Sequence, residues 1–113
     1  MIHLFLILET LLFLAASSLH FGLLAKGYEH SKARVAELVI GLVLLGGFVF
    51  TFIQPANQLQ IGRMVQGFAL FGTGIGIFTI LVGVGPRSVL DYILHICMVT
   101  ILVLGLFFIC NLR

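Results

Sequence analysis

Among the ionisable side chains within long apolar stretches of the sequence, five are the residues best able to do chemistry. They are Glu9, His20, Glu37, Asp91 and His95. An ionisable group inside an apolar segment is costly, so its presence suggests a function by default. Carboxylates and imidazoles bind metal ions and transfer protons. We therefore look for a functional site among these five residues.

Four of the five lie near the same end of their apolar segments. At the ~1.5 Å rise per helical residue, His20 and His95 lie roughly 7–9 Å inside that end. Glu37 and Asp91 lie closer to it, within two or three residues. His20, His95, Glu37 and Asp91 are therefore predicted as potential metal ligands.

The two histidines also suggest a haem site. Neutral imidazoles on neighbouring helices can bind a haem b iron from opposite sides, as His20 and His95 would. Met98, one turn beyond His95, is an alternative axial ligand. The haem propionates would pair with cations at the same end, namely Lys26, Arg34 and Arg87. This arrangement resembles the haem-bearing anchor subunits of respiratory complexes, which implies a redox membrane anchor.

The same residues have other interpretations, some of them purely structural. Ser88-Val89-Leu90-Asp91 has the form of a capping box at a helix start. Asp91 can also pair with Arg87, and Glu37 with Arg34, at helical spacing. A non-haem metal site, a quinone pocket and a proton relay remain open as functional alternatives.

Glu9 lies apart from the others, roughly 10 Å inside the opposite end of its segment. It is predicted to act in proton or ion coupling, or to be a protonated acid packed among glycines. In its length, its four apolar segments and this Glu, the chain resembles the small multidrug-resistance transporters. That family's aromatic substrate cage depends on a Trp, and this chain has none, so drug transport is not carried over to Glu9.

The composition indicates the kind of fold that must position these residues. Of 113 residues 61% are hydrophobic and 9% are charged, and the mean hydropathy is +1.26. Such a chain needs a lipid solvent, and a bilayer core takes about 20 apolar residues per helix. We predict an all-α integral membrane protein with one membrane domain over residues 1–113. Its transmembrane helices are predicted at about 2–25, 35–53, 64–84 and 89–110.

Short connections rich in Gly, Pro and polar residues separate the four segments, which favours an up-down-up-down bundle. Cytoplasmic loops carry excess Lys and Arg. This rule predicts the first and third loops inside and the termini outside, in what we expect to be a bacterial cytoplasmic membrane. The charges that decide it are Lys26, Lys32, Arg34 and Arg87 on one side, and Arg63 and Arg113 on the other.

The third segment carries small residues at alternating spacings of three and four, which predicts close helix packing. They are Ala69, Gly72, Gly76, Thr79 and Gly83. This seam could face the second helix or a second copy of the chain. The net charge of +2 is spread over the loops, and without a basic stripe nucleic acid is not an expected partner.

Three functions follow as hypotheses. The first is an accessory or structural membrane subunit, docking through small-residue faces to other subunits or to a second copy. The second is a haem-binding or metal-binding redox anchor that uses His20 and His95. The third is a small proton-coupled transporter or channel that uses Glu9. An enzyme is not favoured, because no nucleophile and base pair of adequate specificity is present.

Overall fold

The structure, a computed structural model, describes residues 1–111 and consists there of helices and their connections. Leu112 and Arg113 lie outside the described residues, so the part of the charge argument that uses Arg113 has no structural counterpart. The elements are α1 (Ile2–His20), α2 (Ser31–Ile53), a short 3₁₀ helix (Pro55–Asn57), α3 (Gln58–Leu81) and α4 (Val89–Asn111).

Within residues 1–111, four helices are long and apolar enough to cross a membrane, as the sequence predicted. The shortest, α1, has 19 residues, close to the ~20 that span a bilayer core. The all-helical fold and the number of spanning-length helices are therefore confirmed.

Two helices end earlier than the sequence suggested, for the same physical reason. Helix α1 ends at His20 and not near residue 25, because Gly22 takes the left-handed conformation with φ 82°. The N–H groups of Gly22 and Leu23 then bond back to the carbonyls of Leu19 and Ser18 at 3.0 Å each. This is a Schellman motif, which satisfies the last carbonyls of a helix.

The same motif ends α3 at Leu81 and not at residue 84. Gly83 has φ 89°, and its N–H and that of Val84 bond back to Ile80 and Thr79 at 3.2 and 2.9 Å. Gly83 therefore terminates the helix and lies outside the small-residue seam in which the sequence analysis included it.

Two helices begin earlier than expected, since polar residues can form the first turn of a helix. His30 caps α2, because its Nδ1 accepts a hydrogen bond from the N–H of Ala33 at 3.1 Å. This cap starts α2 at Ser31 in place of residue 35. Pro55 opens a 3₁₀ turn that leads directly into α3 at Gln58, ahead of the predicted residue 64.

Helix α1 has the largest buried share, and it contacts the other three helices. Within its most apolar stretch 44% of residues are buried, compared with 22–33% in the others. Leu6 and Phe13 of α1 pack into a core with Leu44, Met98 and Leu102. The side chains of α1 are therefore the ones most able to meet partners from every other helix.

The small-residue seam of α3 packs against helices of the same chain. Ala69 is fully buried. A Cβ added to Gly72 would lie 2.8 Å from Ile40 of α2, and one added to Gly76 would lie 3.3 Å from Nε2 of His95 in α4. The Thr79 hydroxyl donates to the Gly76 carbonyl at 2.6 Å. Gly72 therefore allows α2 to approach α3, and Gly76 allows α4 to do so.

Candidate functional site

His20 lies between two carboxylates contributed by two other helices. Its Nδ1 is 2.6 Å from Oε2 of Glu37, and its Nε2 is 2.6 Å from Oδ1 of Asp91. The relative exposures are 0% for His20, 5% for Glu37 and 3% for Asp91. We call these three residues the His20 cluster. It joins α1, α2 and α4 through polar contacts shielded from solvent.

Helix ends position the cluster. His20 is the last residue of α1, Glu37 is in the second turn of α2, and Asp91 is in the first turn of α4. The segments 21–30 and 82–88 lie at the same end, because Nε2 of His30 is 3.2 Å from the Val84 carbonyl oxygen. We refer to this as the His20 end of the molecule.

The hydrogen bonding of the cluster determines its charge. Two N···O contacts of 2.6 Å need two protons shared among one imidazole and two carboxyl groups. An imidazolium with two carboxylates carries a net charge of −1, and so does a neutral imidazole with one carboxylate and one carboxylic acid. With these two protons the cluster holds one negative charge, whichever groups carry them.

Asp91 is fully engaged by local groups as well as by His20. Its Oδ2 accepts hydrogen bonds from the N–H and the hydroxyl of Ser88, and its own N–H donates to the Ser88 hydroxyl at 3.2 Å. These contacts form the capping box that the sequence predicted, and a carboxylate is favoured at a helix start. Both carboxylate oxygens of Asp91 thus have partners within the chain.

The two cation pairs considered in the sequence analysis are absent. Among residues 1–111 the only ion pairs are those of His20 with its two carboxylates. Arg34 lies over the Phe21 ring, 5.0 Å from its centroid. Arg87 donates from Nε to the Ile80 carbonyl at 3.3 Å, and its guanidinium lies against Gly83.

The residues do not fit a haem or a metal ion. Both His20 nitrogens already contact carboxylates, so His20 has no lone pair left for iron. A metal ion between imidazole and carboxylate would hold N and O about 3 Å apart or more, given metal–ligand bonds of about 2.0–2.2 Å. Nor do residues 1–111 contain a group of three or more His, Cys, Asp or Glu placed to hold a metal. Lys26, expected to hold a propionate, is an exposed loop residue.

A cavity of about 140 Å³ adjoins the cluster and is lined chiefly by α2, α3 and α4. Glu37 lies in its wall, and its Oε1 is buried without a hydrogen-bond partner. We call this space the Glu37 cavity. Its apolar walls include Phe13, Ile40, Ile75 and Met98, its hydroxyls are those of Thr73 and Thr79, and its lining also includes His30, Lys32 and Pro86.

His95 faces the same cavity with one ring nitrogen. Its Nδ1 lies 2.7 Å from the carbonyl oxygen of Asp91. Because a carbonyl only accepts, Nδ1 must donate, and the neutral ring then presents the lone pair of Nε2. Glu37 and His95 are therefore brought to one cavity, although each contacts different partners.

Glu9 has a partner that the sequence analysis did not single out. The amide of Gln66 in α3 lies 2.6 Å from Oε1 of Glu9, and both side chains are fully buried. Gly105 of α4 packs directly onto this pair. A neutral amide in a helix carries no charge to draw attention to it, so only the small residue at 105 hinted at a close contact there.

An apolar layer separates Glu9 from His20 within the bundle. Phe13 of α1 fills the space between the two ends, with Met98 and Leu102 of α4, and all three are nearly inaccessible. The Glu9–Gln66 pair and the His20 cluster are therefore separate polar sites with an apolar layer between them.

Comparisons with protein families, with curated proteins and with solved structures find no match to this chain. The geometry of its own residues is accordingly the basis for the functional argument that follows.

Proposed function

We propose that this chain is an integral membrane protein that binds a small cation in the Glu37 cavity in exchange for a proton. The proposal takes the four helices as an up-down-up-down transmembrane bundle. Support comes from the short connections, from the contact of His30 with Val84 at one end, and from the Arg63 side chain donating to the Ile109 carbonyl at the other.

The proposed orientation puts the His20 end at the cytoplasmic side. Lys and Arg are enriched in cytoplasmic loops. At the His20 end are Lys26, Lys32, Arg34 and Arg87, while Arg63 is at the opposite end.

The unpaired Oε1 of Glu37 is the observation that carries the proposal. A buried acceptor without a partner costs about 1–3 kcal/mol, and more when it belongs to a charged group. This oxygen belongs to a cluster that carries a net charge of −1 when it holds two protons, and Glu37 lines a cavity. A cation with a hydrogen to donate would satisfy both the charge and the oxygen.

Proton exchange follows from the same charge count. A third proton makes the cluster neutral. Glu37 can then be a carboxylic acid, which offers no negative charge to a cation. A bound cation also neutralises the site, but with two protons on the cluster. The two neutral states exclude one another, so where the cluster holds a third proton, binding a cation releases that proton to bulk water.

The other predicted functions draw less support from the geometry. The seam of α3 offers little to a docking partner, because Gly72 and Gly76 already contact Ile40 and His95. Coupling through Glu9 would have to cross the apolar layer at Phe13. An accessory-subunit role remains a prediction that would depend on other surfaces.

Proton release from purified protein tests the proposal. The protein is held in detergent at low buffer capacity with a pH indicator, and chlorides of ammonium, guanidinium, sodium and potassium are added in turn. At least one cation should release protons from wild type, across a range of starting pH values. Glu37→Gln should abolish the release, since an amide does not take up or release a proton.

Glu9→Gln is the matched control, since it removes a buried carboxyl outside the cavity. It should release protons as wild type does. Absence of release with every cation, or equal release from Glu37→Gln, would overturn the proposal.

A further inference from the structure

We infer that the cation taken by the Glu37 cavity is a small primary ammonium ion carrying a compact apolar group. This inference rests on the proposed function and specifies its ligand class. It combines three properties of the cavity: its hydrogen-bonding groups, its volume and the nature of its walls.

Apart from the Lys32 ammonium and the His30 ring, the polar side chains of the lining offer hydrogen-bond acceptors. Oε1 of Glu37 and Nε2 of the neutral His95 ring have lone pairs and no proton to offer. The hydroxyls of Thr73 and Thr79 donate to the carbonyls of Ala69 and Gly76 at 2.7 and 2.6 Å. Their protons are therefore used, and each oxygen presents lone pairs. A primary ammonium group, with three N–H donors, complements such a set.

The volume limits the rest of the ligand. The cavity measures about 140 Å³, and an apolar cavity of about 150 Å³ holds a benzene molecule. An ammonium group with a six-membered ring, or with a short branched aliphatic group, is therefore the size that fits.

The walls exclude two other kinds of cation. Hard metal cations take about six or more oxygen ligands, whereas Phe13, Ile40 and Met98 offer none. Quaternary ammonium groups bind in cages of several aromatic faces. Among the lining residues, Phe13 is the one with an aromatic hydrocarbon ring. The acceptors instead favour a cation that has N–H groups.

Several titratable groups surround the ligand position. Helix α1 contributes His20 behind Glu37, α4 contributes Asp91 and His95, and His30 and Lys32 also line the cavity. Helix α3 contributes hydroxyls and no titratable side chain to the lining. Because a third proton on the cluster competes with the ligand, binding should weaken as the pH falls.

The test compares three compounds that share a benzyl group by calorimetric titration of the purified protein. Benzylammonium has the charge and the N–H donors, benzyltrimethylammonium has the charge alone, and benzyl alcohol has a donor without charge. We expect benzylammonium to bind at least about tenfold more tightly than either, a factor that corresponds to loss of one good polar contact.

Two variants assign the binding to the cavity. Thr73→Val keeps the side-chain shape and removes one acceptor, so it should weaken benzylammonium binding several-fold. Glu37→Gln should weaken it more strongly. Gly74→Ala lies on α3 where an added Cβ meets no atom within 4 Å, and it should bind as wild type does.

The outcomes separate the two proposals. If sodium or potassium releases protons and benzylammonium neither binds nor releases them, the ligand class is wrong and the proposed function stands. Equal binding of benzyltrimethylammonium, or unchanged binding by Thr73→Val, would also overturn the ligand class. Failure of every cation to release protons overturns both.

Discussion

The His20 cluster and the Glu9–Gln66 pair are both buried polar sites built on α1, and they differ in the space beside them. Glu37 borders a cavity of about 140 Å³. Glu9, in contrast, is covered by Gly105, where an added Cβ would lie 2.7 Å from its Oε1. Both carboxylates keep one oxygen without a partner. Of the two residues, Glu37 alone lines this cavity, so room for a ligand distinguishes the proposed binding site from a packing contact.

The two sites also differ in how many helices they join. His20 contacts carboxylates from α2 and α4, whereas Glu9 contacts the amide of Gln66 in α3 alone. With two protons, the His20 cluster carries a net charge of −1. The Glu9–Gln66 pair needs no charge, since a protonated Glu9 can hydrogen-bond to an amide. The predictions below test this contrast, beginning with the largest expected effect.

Removing the imidazole should give the largest loss of stability. His20→Leu leaves Glu37 and Asp91 buried without their shared partner. Breaking a buried charged contact by removing one member costs about 3–5 kcal/mol. The measurement is the free energy of unfolding in mixed detergent and denaturant, followed by helical circular dichroism.

His3→Leu is the control for His20→Leu, because His3 is also on α1 but its Nε2 has no hydrogen-bond partner. Its loss should cost much less. Equal losses from the two variants would contradict the role given to the His20 contacts.

Adding one methyl group should disturb the Glu9–Gln66 pair. In Gly105→Ala the new Cβ would crowd Oε1 of Glu9 and lie 3.2 Å from the Phe5 ring. Overpacking of this kind costs about 1–3 kcal/mol. The same unfolding measurement applies, with Gly46→Ala as control because its Cβ would meet no atom within 4 Å. A loss shared equally by both variants would mean that the close packing at Gly105 is not the cause.

The capping box should make a smaller contribution at the His20 end. Ser88→Ala removes a hydroxyl that donates to Asp91 and accepts from its N–H. Loss of such a cap costs about 0.5–2 kcal/mol. Ser88→Thr keeps the hydroxyl and should retain most of the stability. If both variants unfold alike, the cap is not what Ser88 contributes.

The smallest effect is expected when Glu9 becomes an amide. Glu9→Gln keeps the size of the side chain and can still hydrogen-bond to Gln66, so stability should change by about 1 kcal/mol or less. Glu9→Leu leaves the Gln66 amide buried and unpaired, and should cost more. A large loss in Glu9→Gln would show that a charge on Glu9 matters to the fold.

The features predicted correctly from the sequence are those that depend on local patterns. Four apolar stretches gave the number of spanning-length helices, and the spacing from Ser88 to Asp91 gave the capping box. The helix end at Gly22 was missed because Phe21, Leu23 and Leu24 continue the apolar stretch beyond His20. Hydropathy measures preference for lipid, whereas the left-handed glycine decides where the helix stops.

The central contact of the site could not be read from local patterns. His20 and Asp91 are 71 positions apart, and nothing in either segment specifies which polar groups share a face across helices. The sequence therefore suggested Arg34 and Arg87 as the nearest partners of the two carboxylates. Burial decided otherwise, because His20 reaches both carboxylates from inside while the arginines find an aromatic ring and a backbone carbonyl.

The origin of the His20 cluster in three helices has a consequence for biosynthesis. His20 and Glu37 are 17 positions apart, so an imidazolium and a carboxylate can pair, with no net charge, as soon as α1 and α2 have been made. Asp91 joins only when α4 emerges, and it brings the additional negative charge. A nascent chain that ends before α4 would thus hold a neutral hairpin. The anionic site arises in the last step of assembly, when Asp91 reaches His20.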